Sequence, residues 1–434
     1  MLSGRCNRFL NSWQNYSSSR WSLKNFRRGE RTRTCSGKEN PSRSPTSLFE
    51  LRMPLFTPTS VPTSAYLHVP FCLHKCGYCD FTVVAGRDDL TAAYLACMEL
   101  EIRQYLAVPE VMTTLFLGGG TPTYLSAADL QALFVLVQRW LPLAPGGEFS
   151  VECNPEGFTP DRMDVLRSAG VNRISLGVQS FHPEHLRTLE RSHSPDTVQT
   201  VIEQLREREL TNISLDLIFG VPGQTLFDWE KTLDRAIALK PHHLSTYGLT
   251  YEKGTSFWTR RARHVLKPVS EELEREMYAL AMSKLPAQGF QHYEISNFAL
   301  PGAECRHNRI YWRGESYYGF GPGAAGFRSG IRSMNHRSVT TWIKRLQQGD
   351  SAVHEEESLD TDLQRREAVM LGLRQIEGID LADYQQKFGV AIRDLEPDSY
   401  ARFLNEGWLE ETATHIRLTR AGRFVADTVM SEFL

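Results

Sequence analysis

Cysteine is scarce in this 434-residue chain. Eight residues in all are too few for a disulfide scaffold, which argues for a reducing compartment. Long apolar runs are also missing: stretches such as 132–137 fall far short of the roughly 18 residues a membrane helix needs. Neither sign of charge dominates, the formal net charge being −2. With 41% hydrophobic and 23% charged residues, the composition excludes wholesale disorder and leaves material for a large core. The length suggests two folded units plus an appendage.

The charge is unevenly placed. Residues 1–52 hold 11 Lys and Arg against three Glu, with ten Ser, so the rest carries 38 basic and 48 acidic residues and stands at −10. A body that acidic argues against nucleic acid as a partner. The basic, Ser-rich tail has the composition of an organelle transit peptide, which would direct the chain to a mitochondrial or plastid matrix. Met53 stands directly before the first patterned segment, however, so the tail reads equally as an upstream extension of a cytoplasmic protein.

From residue 65, β-rich runs alternate with helical patterns. The expected strands are 65–69, 114–117, 149–153, 173–178, 213–219 and 243–249. Between and after them, helices are expected over 88–106, from Ser126, from Thr159-Pro160 to Gly170, and over 194–209, 226–239 and 271–285. Six strand-then-helix units in series require parallel pairing, hence an α/β sheet, open or curled into a partial barrel. Functional groups then belong at the carboxyl ends of the strands. Cys72, Cys76 and Cys79 follow the first strand, the Gly118–Gly120 run the second, while Glu152 ends the third and Gln179 the fourth. Alternation sets Glu152 and Ser150 opposite Phe149, Val151 and Cys153. After about residue 355 short helices over 363–376, 381–388, 397–406 and 421–433, with a strand at 416–418, suggest a small winged-helix-like domain. It has no basic helix face, so DNA binding is not inferred. The organisation is therefore a tail to 52, a core over 53–300, an extension over 301–355 and a C-terminal domain over 356–434.

The three clustered cysteines offer soft thiolates within one loop. With no second pair nearby, a four-iron cluster would keep one iron open for an exchangeable ligand; the lesser alternatives are inert thiols, or a zinc site closed by His68 and His74.

The run Tyr66-Leu-His-Val-Pro-Phe-Cys72-Leu-His-Lys-Cys76-Gly-Tyr-Cys79, followed by Gly118-Gly-Gly-Thr-Pro-Thr123, resembles the radical S-adenosylmethionine (SAM) superfamily. Within it the chain is similar to the oxygen-independent coproporphyrinogen oxidase group, through Glu152-Cys-Asn-Pro155, Leu176-Gly-Val-Gln-Ser180, Leu215-Asp-Leu-Ile-Phe-Gly220, Tyr293-Glu-Ile-Ser-Asn-Phe298 and His307-Asn-Arg-Ile-Tyr-Trp312. The resemblance implies a partial (β/α)6 radical SAM barrel in which Cys72, Cys76 and Cys79 hold a [4Fe-4S] cluster. It implies SAM contacts from Tyr66, Gly118, Gly119, Gly120, Thr121, Glu152, Gln179, Arg191 and Asp216. Arg191 and Asp216 read alternatively as a structural ion pair.

That group divides into oxidases and shorter HemW-like heme chaperones. The oxidase pattern adds a fourth cysteine where this chain has Phe81, and a long N-terminal arm for which only about a dozen residues are available after Met53. Both favour the chaperone subgroup, as does the His-Asn-x-x-Tyr-Trp pattern at 307–312. The likeness implies heme as a third cofactor, with His307 as an iron ligand and Tyr311 and Trp312 against the macrocycle. Alternatively His307 is a hydrogen-bonded residue beside an aromatic pair, or Cys305 is the ligand. Where relatives often carry a histidine after the Gly319–Ala324 segment, this chain has Ala325. The expected partner is an unidentified heme-acceptor protein, membrane-associated or not; the resemblance leaves open whether SAM is cleaved.

Overall fold

The structure, a computed structural model, describes residues 61–434; the tail over 1–52 and its alternative readings lie outside the described residues. Six strands, β1 (Ser64–Val69), β2 (Met112–Gly119), β3 (Leu143–Cys153), β4 (Arg173–Gln179), β5 (Ile213–Phe219) and β6 (His243–Gly248), run parallel and lie side by side in chain order. The crossovers carry α1 (Thr91–Tyr105), α2 (Ala127–Trp140), α3 (Pro160–Ser168), α4 (Pro183–Thr188), α5 (Pro195–Glu207) and α6 (Leu226–Ala238). Because every crossover advances in the same direction with one hand, the helices cover one face and the sheet curls about the other. This is the partial barrel expected from the alternation.

The local chemistry explains the element ends. Ser126 and Ser194 accept hydrogen bonds from the backbone N–H groups of Asp129 and Thr197, and Thr225 forms a reciprocal capping box with Asp228. Leu130, Leu133, Phe134 and Val137 of α2 are fully buried, so the helical stripe in the sequence is the packed face. Thr159, expected to cap α3, makes no side-chain cap; the Arg162 guanidinium takes up its hydroxyl at 3.4 Å.

Beyond β6 come α7 (Ser256–Ala262) and α8 (Glu271–Lys284), then a hairpin, β7 (Gln291–Glu294) and β8 (Asn297–Ala299), which extends the sheet antiparallel to β6. After α9 (Arg306–Trp312), β9 (Tyr318–Phe320) pairs parallel with β1 at the opposite edge, so the sheet has nine strands and two edges. Residues 325–358 add an antiparallel sheet, β10 (Ala325–Arg328), β11 (Ile331–Asn335) and β12 (Val353–Ser358), with α10 (Val339–Gln347) between the last two.

The C-terminal segment holds α11 (Thr361–Gly372), α12 (Leu381–Phe388), α13 (Pro397–Asn405) and a short sheet of β13 (Ile379–Asp380), β14 (Leu409–Glu411) and β15 (His415–Leu418). The helix expected to run to 376 stops at Gly372, because the backbone of Arg374 and Ile376 bonds instead to the hairpin, at Ile295 and Tyr293. The expected single closing helix over 421–433 is broken: Val425 leaves the helical region at φ −124°, separating a 3-10 turn at Gly422–Val425 from α14 (Ala426–Ser431). Among the described residues no helix is long and apolar enough to cross a membrane.

Candidate functional site

A cavity opens at the carboxyl ends of the parallel strands, where the topology places it. Cys72, Cys76 and Cys79 reach it from the loop after β1, Gly119, Gly120 and Thr121 from the end of β2, Glu152 and Asn154 from β3, Gln179 from β4 and Asp216 from β5. Arg191 enters from the loop after α4. Residues as far apart in sequence as Cys72 and Asp216 are thus brought to one site. Tyr247 of β6, absent from the sequence reading, also borders it. Its only sequence signal was its place near a strand end.

Tyr66 and Gly118 stand behind this surface rather than in it. The Tyr66 hydroxyl meets His68 Nδ1 at 3.0 Å. A Cβ on Gly118 would lie 2.5 Å from the Glu152 carboxyl carbon; its absence lets Glu152 cross the strand and accept the Gly119 N–H at 2.7 Å. Gly119 has φ +91°, and a Cβ there would meet the His68 ring at 2.1 Å, while one on Gly120 would meet the Val69 carbonyl at 2.4 Å. The protein itself therefore requires these glycines, before any ligand is considered. Gln179 also adopts a left-handed φ of 64°, beside a register shift between β4 and β5. Such strain in a non-glycine residue is sustained at a site where the surrounding structure over-determines it.

The cysteines are free and within reach of one another's cavity. Burial pushes the Cys72 thiol up to about 11 and Cys79 up to about 12, and raises Cys76 as well. Left alone they are neutral thiols; a bound metal supplies the charge that makes thiolates of them. Thr121 Oγ1 lies 3.3 Å from Cys72 Sγ and accepts the Asn154 amide at 2.7 Å. Arg191 donates to Asn154 Oδ1 (2.8 Å), to Glu156 (3.1 Å) and to the Gly177 carbonyl (3.0 Å), yet its buried Nε has no partner. That orphaned donor at the cavity fits an anionic ligand group such as a carboxylate. The alternative of an Arg191–Asp216 pair is not what forms: Arg191 pairs with Glu156, which His193 also holds at 2.9 Å, and Asp216 accepts from Ser175 at 2.9 Å. Burial raises the Asp216 carboxyl above its usual range.

The cysteine loop is fixed by residues the sequence reading did not single out. Glu190, itself at φ 57°, accepts the Gly77 N–H at 2.8 Å and pairs with Arg260 of α7 at 3.0 Å. The Phe257 N–H donates to the Gly77 carbonyl at 2.8 Å, and the Phe257 ring packs so close that a Cβ on Gly77 would sit 2.6 Å from it. Tyr78 and Phe257 share a small apolar cluster with Leu189, Ile218, Val221 and Leu249. His68, offered as a zinc ligand, is committed elsewhere: its Nε2 bonds the Thr82 carbonyl at 2.7 Å, and burial lowers the ring to about 4. His74 borders the cavity but meets Glu190 at 3.3 Å.

His307 is not brought to this cavity. It is fully buried on α9, with Nδ1 at 2.8 Å from Thr114 Oγ1, Nε2 at 2.8 Å from the Tyr311 hydroxyl, and its ring stacked on Phe116. Burial lowers it to about 3. As it stands, neither nitrogen is open to an iron, which corresponds to the hydrogen-bonded alternative. Cys305 is buried too, its thiol pushed far up by burial. Trp312 packs under the Arg374 guanidinium at 4.7 Å.

A curled parallel sheet with a three-cysteine loop and a glycine run at its carboxyl rim defines a radical SAM protein, and the radical SAM superfamily profile matches residues 66–236. The HemN C-terminal domain profile matches residues 359–425. The chain is 37% identical over 375 residues to the heme chaperone HemW of Bacillus subtilis, covering 86% of this chain and 99% of that one. To HemW of Escherichia coli it is 33% identical, over 86% and 98%. To the radical S-adenosyl methionine domain-containing protein 1, mitochondrial, of Danio rerio it is 33% identical, over 74% of each. The chain belongs to the HemW family. Among solved structures, the coproporphyrinogen III oxidase HemN of Escherichia coli, described as a radical SAM enzyme, superposes with a TM-score of 0.76 at 24% identity, covering 86% of this chain and 90% of that one, which establishes the shared fold.

Proposed function

We propose that this protein is a heme chaperone that carries a [4Fe-4S] cluster and SAM in the cavity and passes heme to an acceptor protein. The observation that carries the reading is identity of 33–37% over nearly the whole length to relatives named heme chaperone HemW. Phe81 borders the cavity at the position where the oxidase pattern has its fourth cysteine, which supports the same choice. Cys72, Cys76 and Cys79 would hold the cluster, whose open iron supplies a coordination position for SAM. Around it, Arg191 offers its free Nε–H to a carboxylate, Glu152 and Asp216 offer acceptors to ammonium or ribose hydroxyls, and Thr121 steadies Cys72. The acceptor is a protein of unspecified location. The chain acts in the cytoplasm, or in an organelle matrix if residues 1–52 are a transit peptide.

Heme coordination by His307 requires Tyr311 to release Nε2. Titration of anaerobic, cluster-reconstituted protein with heme, followed by the Soret band, tests the function and the ligand together. Stoichiometric binding is expected for wild type. Binding that weakens about tenfold or more in His307→Ala, and is kept in Tyr311→Phe, assigns the ligand. Equal binding by all three places the iron elsewhere, and no binding by wild type overturns the chaperone reading.

A further inference from the structure

A second group of side chains with metal-ligand chemistry meets outside the cysteine cavity. His182 and His185 lie in the turn after β4 and in α4; Asp228 lies in the first turn of α6, which follows β5. One donor atom from each falls within 4.8 Å of the other two. His185 Nε2 is already 3.5 Å from Asp228 Oδ2, close to the ligand spacing of about 3.3 Å that tetrahedral zinc with bonds near 2.0 Å demands. The two imidazole rings are 4.4 Å apart and inclined by 31°.

Two observations point to a ligand rather than to a chance grouping. His185 is 4% exposed and its Nε2 lies 3.5 Å from Asp228 Oδ2, at the limit of a hydrogen bond, while the buried Nδ1 of His182 has no hydrogen-bond partner. Buried polar atoms are nearly always satisfied, so two neighbouring ring nitrogens facing one carboxylate, one with no partner and the other with only a long contact, call for a partner that both can bind. The third donor is held ready. Both capping bonds from Thr225, at 2.9 Å and 2.7 Å, go to Asp228 Oδ2, and the His182 backbone N–H is fixed on Ser180 Oγ at 3.1 Å.

We propose that His182, His185 and Asp228 bind one divalent transition-metal ion of the zinc class, with water completing the coordination, as a clamp between the β4–α4 turn and α6. Two imidazoles and one carboxylate suit zinc and exclude an all-oxygen calcium or magnesium site. The clamp would begin three residues after the strained Gln179 at the cavity wall.

The test is equilibrium dialysis of zinc(II) against anaerobic holoprotein whose cysteines are occupied by the cluster, with iron, sulfide and zinc measured together. One zinc per chain in addition to intact cluster is expected. His182→Ala, and Asp228→Asn, which keeps an acceptor oxygen for the cap, should each weaken zinc binding by about tenfold or more while leaving iron and sulfide per chain unchanged. Cobalt(II) bound in place of zinc should give visible bands of a nitrogen and oxygen set, read as a difference spectrum against His182→Ala holoprotein. Less than one zinc per chain, unchanged binding in both variants, or zinc that enters only as iron leaves would overturn the proposal.

Discussion

At the scale of single residues, burial decides which groups carry charge. His307, His68 and His292 are each lowered by burial, to about 3, 4 and 3. A histidine that is neutral when folded and titrates near 6.5 when unfolded contributes stability in full above pH 6.5, and loses it as the pH falls toward the folded value. For His307 that loss is about 1.4 kcal/mol per pH unit, or about 2 kcal/mol between pH 6.5 and pH 5. His307→Gln, which cannot titrate there, should therefore lose less stability than wild type over that interval. Urea unfolding at pH 7 and pH 5 measures the difference, and parallel losses in the two proteins would count against a neutral, buried His307. The same residue shows how far a motif reaches. The His-Asn-x-x-Tyr-Trp pattern was visible in the sequence, but only the fold shows that Thr114 on β2 and Tyr311 one helical turn away occupy both nitrogens.

At the scale of elements, the cysteine loop is set by its neighbours more than by itself. Glu190 bridges it to α7, through Gly77 on one side and Arg260 on the other. Its side chain is 30% exposed, so the charge pair adds little and the bond to the Gly77 N–H matters more. Glu190→Ala should cost about 1 kcal/mol of global stability yet speed iron release from the reconstituted cluster by about tenfold, as loss of an outer hydrogen bond to a metal site does. Release to a ferrous chelator measures this; a rate equal to wild type would mean that the loop holds its shape without Glu190. None of this was legible in the sequence, since Gly77, Glu190, Phe257 and Arg260 are spread over some 180 positions and each is unremarkable in its own segment. The strands and most helices were legible, because fully buried parallel strands and capped amphipathic helices carry their own local signals. The exceptions are instructive. The β7–β8 hairpin and β9 are three or four residues long and gain their pairing from β6 and β1, so no local pattern announces them.

At the scale of the whole molecule, residues 301–358 join the rest through buried polar contacts. Glu101 of α1 is fully buried and accepts the Gly321 N–H (2.8 Å), the Asn335 amide (2.5 Å) and the Trp342 indole N–H (3.1 Å), which belong to three different parts of that segment. Burial raises its carboxyl to about 7 against the opposing effect of those three donors. Arg332 of β11 likewise meets Glu367 of α11 in a buried ion pair, tying the small sheet to the C-terminal helices. Glu101→Ala would strand three buried donors and should destabilise the protein by about 3 kcal/mol or more. It should also raise amide hydrogen exchange over residues 318–347 ahead of the barrel strands. Uniform exchange across the chain would show that the segment does not depend on this contact.

The sequence alone determined the parallel α/β core, the cysteine loop at its first strand end and the family resemblance, because strand periodicity, helix caps and closely spaced ligands are local properties. Only the tertiary structure decided which of the marked residues share a cavity, that Arg191 pairs with Glu156 rather than Asp216, that His307 is enclosed, and that His182 and His185 meet Asp228. Those outcomes depend on the register of β3 to β6 and on the packing of helices across it, which bring together side chains that no spacing along the chain connects.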